Sequence, residues 1–291
     1  MPVPEAELIS SRRNPLVRRL RQLHEPRGRR EHGLLLLEGT HLLQEVIRLG
    51  RRPVDLVATD QWLQEHPELV QALALAPDRL RDSRWGIALQ RVTPEVLEAI
   101  ATTRHPDGVA LTHPPPQALT PQSAPAPWDR PSDLWLVLDT VQDPGNLGTL
   151  MRTALAAGVS GLWLVEGADP FQPKVLRASA GAALALPIWR GDRPALIEHL
   201  SRLGHDRPLQ LVATVPPAAG GQPYWQLDWT LPTVLLLGSE GAGLDPALQA
   251  LASHRVTIPH APAVESLNVA VAAAPLLLER GRQQQERMPA S

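Results

Sequence analysis

Residues 134–165 read LWLVLDTVQDPGNLGTLMRTALAAGVSGLWLV, and the punctuation of this stretch decides the fold. Leu134 to Leu138 is an apolar run of strand length. Asp143-Pro144-Gly145-Asn146 is a turn. Leu147 to Ala157 carries a helical apolar pattern closed by Gly158, and Gly161 to Val165 is a second apolar strand. The alternation continues outward. Leu209–Val215, Thr233–Leu237 and Arg255–Ile258 read as strands, and Pro173–Ala182, Pro194–Leu203 and the stretch from Asp245-Pro246 as helices. A last helix starts near Leu267 and runs through Ala270, Ala273, Leu276 and Leu277. Strands that are apolar on both faces and alternate with helices imply an α/β fold with a mostly parallel sheet covered by helices. Ligands in such sheets bind beyond the carboxyl ends of the strands. Asn146, Glu240 and Pro259 all fall just past one.

Before this region lies a smaller α/β unit, Gly33 to His113. Leu34–Leu37 reads as a buried strand, Thr40 as a helix cap, and Leu42, Leu43, Val46, Ile47 and Leu49 as an apolar helical face ending at Gly50. Val54–Ala58 and Gly108–Thr112 are further strands. Thr93-Pro94-Glu95 is a helix start with a hydroxyl cap, an early proline and an acid near the positive end of the dipole. Pro114 to Pro131 is dominated by Pro, Ala, Ser and Gln and reads as a stiff linker. The expected division is therefore a domain at 1–112, a linker at 113–132 and a second domain at 133–291.

At 291 residues with 43% hydrophobic content, the chain can bury two cores. No apolar run approaches the roughly 18 residues of a membrane span, and Met1-Pro2-Val3-Pro4-Glu5 lacks the basic start of a secretory signal. With no cysteine there are no disulfides and no thiolate metal sites, and a cytoplasmic protein is expected. Net charge is −2, but it is unevenly spread. Arg12, Arg13, Arg18, Arg19, Arg21, Arg27, Arg29 and Arg30 are accompanied by a single acid, Glu25. That clustering points to RNA contact, against the alternative of a merely solvated face.

Three polar blocks follow strands or open helices in the second region. They are Asp143–Gly148 with Arg152, Gly238-Ser239-Glu240-Gly241-Ala242-Gly243-Leu244, and Ile258-Pro259 with Glu265-Ser266-Leu267-Asn268. None is G-x-S-x-G, a P-loop or G-x-G-x-x-G. The histidines show no helix-face pair at metal-ligand spacing, so no metal is expected. Each block also has a plain structural reading. The glycines suit an ordinary strand-to-helix turn, Ser266-Leu267-Asn268 a helix cap, Asn146 a turn and Arg152 a snorkelling surface residue.

Together and in this order, the blocks resemble the SpoU (TrmH-like) branch of the SPOUT methyltransferases. Leu138–Gly148 with Arg152-Thr153-Ala154 is similar to that family's first motif, Leu237–Leu244 to its second, and Ile258-Pro259 with Val264–Ala272 to its third. Arg177-Ala178-Ser179-Ala180-Gly181-Ala182 also resembles a family segment. The arginine-rich stretch with Leu37-Glu38-Gly39 resembles the substrate-binding domain of ribosomal-RNA members. Leu155 departs from the pattern, standing where many relatives carry an acid. The resemblance implies a knotted, mostly parallel sheet (the SPOUT α/β knot) preceded by a smaller α/β RNA-binding domain. It implies transfer of methyl from S-adenosylmethionine to a ribose 2′-hydroxyl of RNA, ribosomal RNA before tRNA. Cofactor contacts are implied at Gly238, Ile258 and Leu267, and catalytic or substrate roles at Asn146, Arg152, Glu240, Ser266 and Asn268. It also implies a homodimer in which Arg152 serves the partner subunit's cofactor. A knotted RNA-binding assembly factor without catalysis is the alternative class.

Methyl transfer to a hydroxyl is an in-line displacement that rewards positioning. An arginine is effectively always protonated, which disfavours Arg152 as a base. It is expected instead to bind a phosphate or steady the developing alkoxide, leaving Glu240, the cofactor carboxylate or water to accept the proton.

Overall fold

A computed structural model describes residues 8–75, 88–116, 134–203, 209–239 and 241–287. The chain order begins with β1 (Leu8–Ile9), α1 (Pro15–Gln22), α2 (Pro26–His32), β2 (Leu35–Glu38), α3 (Thr40–Arg48) and β3 (Asp55–Ala58). There follow α4 (Asp60–Glu65), α5 (Pro67–Leu75), β4 (Ala88–Val92), α6 (Pro94–Ile100) and β5 (Val109–His113). The second half runs β6 (Leu134–Asp139), α7 (Pro144–Ala156), β7 (Gly161–Val165), α8 (Pro173–Ala178), α9 (Ala182–Ala185), β8 (Ile188–Gly191) and α10 (Arg193–Leu203). It ends with β9 (Gln210–Thr214), β10 (Gln222–Pro223), β11 (Thr233–Leu237), α11 (Pro246–Leu251), β12 (His254–Thr257) and α12 (Val269–Arg287). Two compact units result: residues 1–116 with 170–185, and residues 117–169 with 186–291. Most of the expected linker lies outside the described residues.

The first unit is built on a five-stranded sheet of order β1-β4-β3-β5-β2, in which β5 runs antiparallel to both neighbours. Val17 and Leu20 of α1 and Val96, Leu97 and Ile100 of α6 bury against Leu36 and Val57 of the sheet. Asn14 opens α1 by accepting from the Leu16 amide at 2.8 Å. Thr40, read from the sequence as a cap, is instead the first residue of α3. Its amide donates to Asp107 Oδ2 at 2.8 Å, and its hydroxyl accepts from Trp62 Nε1 at 2.8 Å.

Residues 170–185 join this unit although both flanking stretches belong to the other. The single helix expected over Pro173–Ala182 is broken, because Ala180 and Gly181 both take left-handed conformations, φ +48° and +84°. A Cβ on Gly181 would stand 2.8 Å from Glu45 Cβ, so this close approach to α3 requires glycine. Arg177 reaches the Glu38 carboxylate at 3.0 Å, and Glu38 has only 3% of its side chain exposed. The same carboxylate accepts from the Thr102 hydroxyl at 2.6 Å and from the Thr102 and Thr103 amides at 3.0 and 3.2 Å.

The second unit carries a seven-stranded sheet, order β10-β12-β9-β11-β6-β7-β8, with every pair parallel. β11 enters between β6 and β9, and β12 between β9 and β10, so neighbours in space are not neighbours in sequence. Trp135, Trp163, Trp189, Leu196, Leu200, Val234 and Leu236 fill the core on one side. Helices α7 and α12 pack on each other.

The buried Glu38–Arg177 pair generates a stability expectation. Arg177→Met leaves a desolvated carboxylate and should cost about 3 kcal/mol in urea unfolding of the full chain. The exposed pair Arg202–Glu198 is the control: Arg202→Met should change stability by about 0.5 kcal/mol or less.

Candidate active site

Parallel pairing aligns the strand ends of the second unit. Leu138 of β6 lies in register with Leu237 of β11, and Thr214 of β9 with Val256 of β12. The residues that follow these strands therefore emerge at one edge of the sheet. There they line an open cleft. Its walls come from residues 214–217, 237–239, 243–244, 256–258, 260 and 265–267, and from the first turns and Leu276 of α12.

The loop after β11 is folded tightly on itself. Ser239 and Gly243 form an isolated bridge, with the Gly243 amide donating to the Ser239 carbonyl at 3.0 Å. The Ser239 hydroxyl accepts from the Ala242 amide at 3.3 Å. A Cβ on Gly238 would stand 2.1 Å from the Gly243 carbonyl carbon, so any side chain at 238 would force the loop open.

The loop is pinned at its far end by Asp139, the last residue of β6, which is 2% exposed. One carboxylate oxygen accepts from Arg193 Nη2 at 2.9 Å and from the Thr140 hydroxyl at 3.0 Å. The other accepts from the Asp245 amide at 3.0 Å. Asp245 in turn caps α11 through the Ala247 amide at 2.8 Å and stands 3.5 Å from Arg193 Nε. The hydrogen bond to Asp139 leads the causes that hold the Arg193 guanidinium above its ordinary pKa, with the nearby charges of Asp139, Asp245 and Glu166 adding to it and burial opposing.

Asn146 and Asn268 meet. Asp143 caps α7 by accepting from the Asn146 amide at 2.8 Å, which places the Asn146 side chain in the first turn. Asn268 opens α12, its Oδ1 accepting from the Ala270 and Val271 amides at 2.9 and 3.3 Å. Its Nδ2 then donates to Asn146 Oδ1 at 3.0 Å, across 122 residues of sequence. Asn268 thus fixes a helix start, and the asparagine pair fixes the relation between two helices.

The sequence candidates separate into groups. Gly238, Ile258, Ser266 and Leu267 line the cleft, and Asn146 and Asn268 bond to each other. Arg152 is exposed on α7 and is not among the cleft residues. Glu240 lies outside the described residues. In the first unit, Arg12, Arg13, Arg18, Arg21, Arg27 and Arg30 are exposed. Arg19 is committed to Asp55 at 2.6 Å. Arg29 is buried and donates to the Leu23 and His24 carbonyls at 2.9 and 2.6 Å. Its guanidinium satisfies carbonyls at the end of α1 and is not a surface cation, which corrects its inclusion with the RNA-facing arginines. Among the described residues no cluster of three His, Asp or Glu could hold a metal.

Several cleft residues escaped the sequence reading. His260 lines the cleft and donates from Nδ1 to the Ile258 carbonyl at 2.7 Å. Thr257 also lines it, 6% exposed, with a buried hydroxyl that has no hydrogen-bond partner among the described residues. Asp139 carried a faint signal, an acid closing an apolar run. Thr257 carried none, since threonine is common in strands.

A parallel sheet with a glycine-lined cleft beyond its strand ends defines the class as an α/β ligand-binding enzyme fold. Residues 133–278 match the model of the SpoU rRNA Methylase family, and residues 14–111 match the MRM3-like substrate binding domain. The chain is 44% identical to the uncharacterized tRNA/rRNA methyltransferase slr1673 of Synechocystis, over 95% of this chain and 94% of that protein. It is 31% identical to the 23S rRNA (guanosine(2553)-2'-O)-methyltransferase RlmP of Bacillus subtilis, over 92% and 97%. The AdoMet-bound rRNA methyltransferase structure from Sinorhizobium meliloti superposes with a TM-score of 0.78 at 30% identity, covering 98% of this chain and 99% of that one. The chain belongs to the SpoU rRNA methylase family, and its fold is that of the SPOUT methyltransferases preceded by a substrate-binding domain.

Two outcomes follow from the contacts. Asp139→Asn removes the charge that holds Arg193 and should cost about 3 kcal/mol in urea unfolding. Asn268→Ala should cost about 1 kcal/mol through the lost cap, whereas Asn268→Asp, which keeps a capping oxygen, should cost less than half of that.

Proposed function

We propose that this chain transfers the methyl group of S-adenosylmethionine to a ribose 2′-hydroxyl of ribosomal RNA, working as a homodimer in the cytoplasm. The observation that carries the reading is convergence. Gly238, Ile258, Ser266 and Leu267 line one cleft, and Asn146 and Asn268 bond within the same unit.

The cleft fits the methyl donor. Val215, Leu237, Val256 and Leu276 offer apolar wall to a heterocycle, while the carbonyls and amides around Gly238, Ile258 and Leu267 offer donors and acceptors along its rim. The bound donor supplies a methyl group already activated by its sulfonium. The protein's task is orientation and charge. The Asn146–Asn268 pair holds the amide at the head of α7 in one setting, so that the adjoining substrate groups meet a preorganised surface. Arg152, exposed on α7, is a permanent cation suited to an RNA phosphate or to negative charge developing on the attacking oxygen. Glu240, the cofactor carboxylate or water would receive the proton.

The exposed arginines of the first unit and the ribosomal substrate in the name of RlmP favour ribosomal RNA. Dimerisation is supported by α12. Val271 and Leu278, 62% and 53% exposed, lie seven residues apart with the half-buried Ala274 and Pro275 between them. Leu155 adds an exposed apolar side chain on α7, which packs with α12. Such a stripe calls for a cover, and a second copy supplies one.

The test is to map ribose methylation on total RNA with and without the protein. Restoration of a mark on large-subunit ribosomal RNA is expected; a mark confined to tRNA would reassign the substrate, and no mark would favour an assembly factor. Arg152→Ala should lower kcat by about 10²–10³-fold while S-adenosylhomocysteine still binds. Retained activity would remove Arg152 from the reaction.

A further inference from the structure

Between β9 and β11 the chain presents an exposed aromatic ring that is not part of the cleft lining. Tyr224–Gln226 form a 3-10 turn directly after β10. Of the tryptophans among the described residues, Trp62, Trp135, Trp163, Trp189 and Trp229 are buried, and Trp225 alone is exposed, at 49%. A lone exposed apolar side chain needs no explanation, but this one stands on a fixed support. The buried Trp229 indole donates to the Tyr224 carbonyl at 2.7 Å. Gln283 of α12 donates to the Leu227 carbonyl and accepts from the Trp229 amide, both at 2.9 Å. Arg280, 4% exposed, donates to the Trp229 and Leu231 carbonyls at 2.8 and 3.0 Å. The Tyr224 and Trp225 rings meet at a centroid distance of 5.1 Å and an angle of 77°, an edge-to-face contact that restrains the indole. A buried guanidinium is costly to place, and here it fixes, through Trp229, a turn whose outward side chain is a flat ring.

We propose that Trp225 is a stacking platform for an unpaired base of the RNA substrate. The proposal rests on the reading under Proposed function and deepens it, adding an RNA contact to the second unit. Register gives the location. β10 is an edge strand that runs parallel to β12, with Pro223 opposite Thr257. Tyr224 and Trp225 therefore leave the sheet at the same end as Ile258, which lines the cleft. An RNA whose ribose enters that cleft lies against the same sheet edge. Chemistry gives the occupant. Residues 216–227 carry no acid, so nothing in the segment repels a phosphate chain. Gln226, exposed and next in sequence, offers an amide that can donate and accept along a base edge. An indole face receives any base, provided that the base is unpaired. The target nucleotide is thereby expected in or beside a loop or bulge rather than within a continuous duplex.

The experiment measures, by fluorescence anisotropy, binding of the full chain to a labelled single-stranded RNA oligonucleotide and to the same sequence as a blunt duplex. Trp225→Ala should weaken binding to the single strand by about 5- to 100-fold, the worth of one stacked base. Its affinity for the duplex should change by less than about twofold. Trp225→Phe, which keeps a ring, should hold the single-strand affinity within about threefold. Neither variant should alter the Tm or the affinity for S-adenosylhomocysteine, because the ring is exposed and outside the cleft lining. Unchanged single-strand affinity in the alanine variant overturns the platform. Equal losses with both RNAs, or a loss accompanied by a lower Tm, overturn it as well. A dimer that becomes a monomer in the alanine variant overturns it by assigning the ring to a protein interface. If the unaltered protein shows the expected RNA pattern but binds no S-adenosylhomocysteine, the methyltransferase reading falls while Trp225 stands as an RNA contact. If it binds neither RNA, both fall.

Discussion

The buried carboxylate of Asp139 is the constraint on which the second unit turns. A carboxylate withdrawn from water is costly unless its lone pairs are filled. Here they are filled by three donors from three places: the Arg193 guanidinium at the head of α10, the Thr140 hydroxyl and the Asp245 amide at the head of α11. The loop between β11 and α11 is thereby fixed at both ends. Leu237 is held in register with Leu138, and Asp245 is held by the residue next along the same strand. The closed shape of that loop, with Gly238 pressed against Gly243, follows from its short span and anchored ends together with the Ser239–Gly243 bridge.

Around this anchor the sheet edge gathers residues from remote parts of the sequence. β9, β11 and β12 deliver three walls of the cleft, and the segment ahead of α12 delivers the fourth. Asn268 then ties α12 to α7. The design is economical in charge. Among the described residues the walls of the cleft hold glycines, apolar side chains, a few hydroxyls, His260 and one acid, Glu265, and no lysine or arginine. For a ligand that is itself a cation, walls without lysine or arginine avoid repulsion.

Much of this could be read from the residues. Apolar runs of strand length located β6, β7, β9, β11 and β12 to within a residue or two; the first four are buried nearly throughout and carry no competing helical period. Gly158 marked the C-terminal end of α7 because its role is local, whereas the turn read at Asp143-Pro144-Gly145-Asn146 is the capped first turn of the helix, which starts at Pro144 rather than Leu147. Strand order was not legible. Nothing in Thr233–Leu237 says that it enters between β6 and β9, since any apolar strand would satisfy either neighbour. The break at Ala180-Gly181 was hidden because it answers the nearness of Glu45, which lies far off in sequence. Arg29 looked like its exposed neighbours, and only the carbonyls at the end of α1 explain its burial. Gly238, Ile258, Ser266 and Leu267 were found through motif resemblance, whereas Thr257 needed the structure to show where its hydroxyl lies. Glu240 falls outside the described residues and gains nothing from it.

The excursion of residues 170–185 into the first unit bears on how the chain emerges during synthesis. The guanidinium that meets Glu38 is encoded some way after residues 1–116, the rest of the unit it joins. A nascent chain that has released residues 1–116 still carries a carboxylate waiting for its counter-ion, and β6, α7 and β7 must be translated before Arg177 appears. The two units are therefore interleaved in time, so neither can be read off the ribosome as a finished, contiguous block.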